Sequence, residues 1–190
     1  MTKDLTQGKI TPLLVKFTIP LLFGNIFQLM YNSVDSIIVG QLVGKEALAA
    51  VGTSNPLMTL AILFVNGMCI GASILMGTQY GAKKMDVLKR QISTTMIAGI
   101  VFSIAVTLFC ILFARPLLLL IRVQEEVLPL AVSYLRIVFL GFIFTFIYNF
   151  FACTLRALGD SKTPLYFLVT SAFLNIFGDL FFVVVLRWGV

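Results

Sequence analysis

The stretch FTIPLLFGNIFQLMYNSVDSIIVGQLVG, residues 17–44, carries one charged side chain, Asp35. A bilayer core about 30 Å thick is crossed by about 20 apolar helical residues, so this stretch is long enough to span. Its polar residues are ordered. Asn25, Gln28, Asn32 and Asp35 recur at steps of three, four and three, with Ser36 beside them, which places them on one helical face. A carboxylate near the bilayer centre costs roughly 2.5–3.5 kcal/mol, so such a face is expected to turn toward a cavity or a partner.

The same texture continues outward. Residues 47–82 and 91–114 carry no charge, 127–155 carry only Arg136, and 163–186 carry only Asp179. Over the whole chain 59% of residues are hydrophobic and 12% charged, where a soluble domain has roughly a quarter charged. The mean hydropathy is +1.04. The sequence therefore predicts an all-α, polytopic membrane helical bundle with five transmembrane helices, over about 12–44, 56–80, 91–114, 127–155 and 163–187. The charge-free run 47–82 is too long for one helix. Ser54-Asn55-Pro56 reads as a cap followed by proline at the first helical position, leaving a short interfacial segment over 48–52. Thr11-Pro12 and Thr163-Pro164 are similar start signals, and Pro20 should bend the first helix. Gly67-x-x-x-Gly71 and Gly77-x-x-x-Gly81 read as close helix packing.

Composition also excludes functions. The chain has no His, which removes Ser-His-Asp and Cys-His catalysis and imidazole relays. Cys69, Cys110 and Cys153 sit inside apolar runs at spacings that match no zinc or redox pattern. No enzyme, cofactor or nucleic-acid partner is expected. The net charge of +6 is distributed over loops, where it reports topology and anionic lipid headgroups. Lys3, Lys9, Lys16, the pairs Lys83-Lys84 and Lys89-Arg90, Arg156 and Lys162 fall on one side; Lys45, Arg115, Arg122 and Arg187 fall on the other. The N-terminus is thus expected in the cytoplasm. No polar tail follows the fifth span, and the chain is expected to be part of a longer protein.

Two intramembrane acids stand out. Asp35 lies about 28 Å of helix beyond Lys16, and Asp179 about 24 Å beyond Thr163. Both belong to the outer half of the membrane. Asp179 shares a face with Ser171 and Asn175, at steps of four. Two acids in low dielectric cannot both stay ionised side by side without a cation, so one shared cation site is the sharp reading. The plain alternative locks each acid in an interhelical hydrogen bond or pairs it with an arginine, for which Arg136 is the candidate. The third span shows no polar stripe and is expected to face lipid. The 18 Phe and seven Met suit either packing or a site for amphipathic cations.

Several motifs together resemble the MATE family, the multidrug and toxic compound extrusion transporters. They are Val34-Asp35-Ser36-Ile37-Ile38-Val39-Gly40, Glu46 through Gly52, Gln79-Tyr80-Gly81-Ala82, Arg156 through Pro164, and Asn175-x-x-x-Asp179. The resemblance implies that residues 1–190 form the N-terminal lobe of a transporter with two six-helix lobes. The sixth helix and the second lobe, which would be its partner, are absent from this chain. It implies export of cationic amphipathic small molecules in exchange for Na⁺ or H⁺, across the inner membrane of a prokaryotic cell. Asp35, Asn175 and Asp179 match the family's coupling site, with Asp35 and Asp179 as ligands where the ion is Na⁺. Gln28, Asn32, Tyr134 and Asn149 lie in the cavity, and Pro20 matches the bending position. The alternatives are a flippase of the same superfamily for lipid-linked precursors, and a truncated membrane protein that transports nothing.

Overall fold

A computed structural model of the chain describes residues 9–38, 40–41 and 44–181, the side chains of Asp179 and Leu180 excepted. The chain is all-α. Among the described residues seven helices follow one another: α1 (Ile10–Ile38), α2 (Lys45–Gly81), α3 (Met85–Leu112), α4 (Ala114–Leu120), α5 (Leu128–Leu140), α6 (Phe142–Ala157) and α7 (Lys162–Leu180). Among the described residues, α1, α2 and α3 are each long and apolar enough to cross a membrane. The α5–α6 pair makes a fourth span if its two halves are counted together. The expected fifth span, 163–187, runs beyond the described residues.

The core lies among α2, α3, α5 and α6, with α4 laid on α5. Val65, Cys69 and Met76 of α2, Leu135 and Phe139 of α5, and Phe146 and Phe150 of α6 are fully buried there. The Phe146 and Phe150 rings stack along one helix face at 5.8 Å. Hydrocarbon is as apolar as these side chains, so shape fit rather than hiding from water decides which helices meet. Gly99 supplies the fit on α3. A Cβ there would collide with the Phe146 ring, so the ring rests directly on the α3 backbone.

Three expectations are corrected. First, α2 does not begin at Pro56; it runs unbroken from Lys45. The Ser54 hydroxyl turns back to the Ala50 carbonyl at 2.8 Å, and Thr53 does the same to Ala49. These hydroxyls bond inside the helix instead of capping one, and Pro56 deprives only the Gly52 carbonyl of its usual donor. Second, the fourth span is broken. Its halves meet at Gly141 with a 46° bend. Gly141 N–H donates to Val138 O and Phe144 N–H to Gly141 O, each at 3.0 Å, so the turn tightens to three-residue bonds. The Thr107 hydroxyl of α3 donates to the Phe139 carbonyl beside the break at 3.0 Å. Third, α3 is not the most lipid-exposed helix, although its Ile97, Val101, Leu108 and Leu112 are exposed. Its Leu88, Gly99 and Ser103 are buried, because small and hydroxyl residues make a packing face in a membrane. The most exposed span is α1, where only Ile38 is buried. Of the four spaced glycines, Gly77 alone makes a close approach, to the Ala157 carbonyl of α6; Gly67, Gly71 and Gly81 have open space around them.

Connectivity fixes direction. The α2–α3 turn and the α6–α7 loop share one end, because Met76 and Gly77 of α2 meet Thr154 and Ala157 of α6. Helix α1 ends where α2 begins, at the opposite end. Hence α1 and α7 both run from the α2–α3 end to the α1–α2 end, and they pack against each other in parallel. Local chemistry starts α7 sharply. Gly159, at φ +87°, closes α6 in the left-handed conformation that glycine adopts without penalty. Asp160 then caps α7, accepting from the Lys162 and Thr163 amides at 3.0 Å and from the Thr163 hydroxyl at 2.6 Å.

Two predictions test these details. Gly99→Ala gains up to about 1 kcal/mol of helix propensity but forces the Phe146 ring away, at about 1–3 kcal/mol. Thermal unfolding in detergent should therefore show a net loss of stability, partly restored by adding Phe146→Leu. For Asp160, burial is the largest influence and pushes the carboxyl up, but the hydrogen bonds from Thr163 and Lys162 together hold it below its ordinary value. Its stabilising effect is then complete above the ordinary carboxylate range and lost as pH falls through the lowered value. Asp160→Ala should cost about 1 kcal/mol at neutral pH and speed exchange of the Thr163 amide, whereas Asp160→Asn should keep most of the cap.

Candidate functional site

The α1–α7 contact sets the register of the site. Gly24 of α1 faces Leu165 and Leu168 of α7, whose side chains approach its Cβ direction to 3.6 and 3.8 Å. Both helices run the same way. Asp35 lies eleven residues past Gly24, and Ile176 and Asp179 lie eleven past Leu165 and Leu168. At 1.5 Å per residue this brings Asp35 level with the last turns of α7, about 16 Å above the glycine contact. The Asp179 side chain lies outside the described residues; its backbone belongs to α7.

The stripe on α1 is a real helical face. Gln28 Nε2 donates to Asn32 Oδ1 at 3.3 Å, one turn below Asp35. The Ser36 hydroxyl donates to the Asn32 carbonyl at 2.9 Å. Asp35 itself is half-buried. Tyr134, half-buried on α5, is within electrostatic reach of Asp35. On α7, Asn175 Oδ1 is enclosed and has no hydrogen-bond partner among the described residues. A buried amide oxygen without a donor costs about 1–3 kcal/mol, so a donor or cation is the partner it calls for. Among the described residues no group of three or more His, Cys, Asp or Glu is placed to hold a metal. The oxygen set of Asp35 and Asn175 suits a weakly held hard cation or a proton.

The remaining candidates separate. Asn149 is half-buried on α6, and its amide is turned inward to its own helix, donating to the Thr145 carbonyl at 2.8 Å. The break at Gly141 puts it on a different axis from Tyr134. Pro20 lies inside α1, which continues through it. Arg136, considered above as a partner for the acids, directs Nε to the Ile111 carbonyl in the last turn of α3 at 3.3 Å. There a cation satisfies a helix C-terminus. Two features escaped periodicity. Tyr134 is one tyrosine in a charge-poor span, and only the fold brings it toward Asp35. Arg156 has its Nε enclosed without a partner among the described residues, which no spacing rule reveals.

Comparison with known proteins gives a consistent match. The MatE family model matches residues 20–181. The probable multidrug resistance protein YpnP of Bacillus subtilis (strain 168) is 33% identical over 98% of this chain and 42% of its own length. The probable multidrug resistance protein YoeA of the same organism is 36% identical over 84% of this chain and 35% of its own. A solved structure described as MATE in complex with MaD3S superposes with a TM-score of 0.90, at 26% identity, over all of this chain and 43% of that one. The chain thus spans about two fifths of the length of the relatives it matches. The chain is an integral, multi-pass membrane protein.

The α1–α7 register is open to a direct test. With Cys69, Cys110 and Cys153 replaced, Gly24→Cys with Leu165→Cys should join within one molecule under a short thiol crosslinker. Gly24→Cys with Ile176→Cys should not. Equal yields from the two pairs would refute the register.

Proposed function

This chain belongs to the MatE family, and from that premise we propose that residues 1–190 are the N-terminal lobe of a cation-coupled antiporter. It exports cationic amphipathic drugs or toxic compounds across the inner membrane of a prokaryotic cell, with its N-terminus in the cytoplasm. The observation that carries the reading is the parallel α1–α7 pair. Asp35 on one helix stands level with the turns that bear Asn175 and Asp179 on the other, and Asn175 Oδ1 is enclosed without a partner among the described residues.

The chemistry follows from the charges. Asp35 and Asp179, held in low dielectric, titrate as a pair, and repulsion between them is relieved by one cation, Na⁺ or H⁺. Asn175 Oδ1 adds a neutral oxygen to the same place. With the pair ionised, the cavity attracts a cationic substrate, and Tyr134 offers an aromatic face to it. Gln28 and Asn32 add polar contacts to the lining, and Asn149 would join them only by turning its amide away from the Thr145 carbonyl. Uptake of the coupling cation from outside neutralises the acids, removes that attraction and lets α1 repack through a bend at Pro20. The substrate leaves outward, and the cation passes to the cytoplasm. Alternating access needs a second body to rock against, and that role falls to the C-terminal lobe of the family. No catalytic role and no resident cofactor is assigned to any residue.

The flippase alternative asks for a cavity lined by cations. Arg136 is engaged at the end of α3, and Arg156 stands in the last turn of α6, so the spans offer little to a polyanionic sugar. In the whole transporter, Asp35→Asn and Asp179→Asn should each abolish efflux of a fluorescent organic cation while leaving membrane insertion intact. Export should also respond to an imposed Na⁺ or pH gradient. Near-normal export by both variants would sink the shared site.

A further inference from the structure

Ser33, Ser36, Thr53, Ser54, Ser73 and Thr78 each donate their hydroxyl to a carbonyl three or four residues back on the same helix. Two hydroxyls of α3 do otherwise. Thr107 leaves its own helix and donates to the Phe139 carbonyl of α5 at 3.0 Å. Ser103 is fully buried, and its Oγ meets no partner among the described residues. Even the Gly99 carbonyl, the usual acceptor one turn back, is not taken.

The two hydroxyls face one place. Gly99, Ser103 and Thr107 recur at steps of four, on one face of α3. Gly99 carries the Phe146 ring and Thr107 reaches Phe139, so α3 runs antiparallel to the α5–α6 pair. Ser103, midway between them, is then about level with residues 142–143, beside the break at Gly141. At that break the backbone departs from helical bonding. Phe144 N–H, which a continuous helix would direct to the Leu140 carbonyl, donates to Gly141 O at 3.0 Å. A glycine joined to a tightened turn within a span is a point of compliance. In a membrane, carbonyls freed at such a point draw on hydroxyls of neighbouring helices. The structure supplies two of these hydroxyls and engages one.

We propose that Gly141 is a joint with two settings, each held by a different hydroxyl of α3. Thr107 holds the Phe139 carbonyl in the bent setting described above. In a straighter setting that carbonyl regains the Ile143 amide of a continuous helix, Thr107 is released, and Ser103 takes a carbonyl of residues 140–142. An enclosed hydroxyl without a partner is costly in a structure of one state; it is accounted for where a second state satisfies it. Tyr134 lies on α5 and Asn149 on α6, so the joint changes the angle between two parts of the cavity wall, and Thr107 and Ser103 become positioning residues. That consequence rests on the antiport reading above; the joint itself does not.

The test is a fluorine NMR spectrum of the purified full chain in nanodiscs, with trifluoromethylphenylalanine in place of Phe144, which is 71% exposed. The parent should give two signals. Thr107→Val, close in shape but without the hydroxyl, should move their ratio about fivefold toward the straighter setting. Ser103→Ala should move it the other way by a similar factor. Thr107→Ser, which keeps the hydroxyl and loses a methyl group, should stay near the parent ratio, which separates the hydrogen bond from packing. A single signal in the parent and both hydroxyl variants overturns the joint. So does a ratio indifferent to Ser103→Ala, the result expected if that hydroxyl simply binds a fixed internal water. The spectrum is taken without any transport, so loss of the antiport reading leaves its outcome untouched.

Discussion

In hydrocarbon a helix gains nothing by hiding leucine from its surroundings, so the fit of ring against backbone at Gly99 and Phe146 carries an unusual share of this structure. Phe146 is fully buried, and it can be so only because α3 presents no Cβ at that point. The contact fixes how close α3 comes to α6. That separation then sets the reach of the Thr107 hydroxyl to the Phe139 carbonyl, beside the break that redirects α5 into α6. The direction of α6 in turn decides where Ala157 meets α2 and where α7 begins. One missing methyl group therefore underlies the placement of a helix many residues away.

Much of this was legible in the sequence wherever one residue type has one role in lipid. The steps of three and four on α1 required a polar face, and the Gln28–Asn32 hydrogen bond lies along it. Thr163-Pro164 falls in the first turn of α7 as expected, although the cap comes from Asp160, three residues before Thr163. Pro56 misled, because a serine before a proline looks the same whether its hydroxyl caps a new helix or bonds back into an old one. The bond of the Ser54 hydroxyl to the Ala50 carbonyl distinguishes them. Gly141 gave no signal, since a glycine within an apolar run marks a break, a notch or nothing. Gly99 and Gly67 illustrate this: one is filled by a phenyl ring, the other has open space around it. Depth arithmetic put Asp35 at the level of the last turns of α7, but the electrostatic influence of Asp35 on Tyr134 comes through the fold and not through spacing.

The helices divide unequally between two packing groups. The helices α2, α3, α5 and α6 share one interlocked core, while α1 and α7 chiefly hold each other, with α7 touching α6. Among its described residues α1 buries only Ile38. A charge change between α1 and α7 therefore acts on the contact that joins the two helices, and the phenylalanine core can stay as it is. For the proposed coupling site this would be a mechanically economical place, because α1 is the long helix with the fewest other attachments. A proline in such a helix adds a point of compliance where the surroundings impose little resistance.

The described residues leave three enclosed side-chain atoms without a hydrogen-bond partner: Ser103 Oγ, Arg156 Nε and Asn175 Oδ1. Each is expensive in a medium without water, at roughly 1–3 kcal/mol for a neutral group and more for a charged one. Ser103 lies one turn from both Gly99 and Thr107 on the face of α3 that meets the break. The other two fall at opposite ends of the bundle and are opposite in character. Asn175 offers an oxygen on α7, in the turns level with Asp35. Arg156 offers a donor in the last turn of α6, at the α2–α3 end. Both mark places where the packing of the described residues leaves an enclosed polar group without a partner.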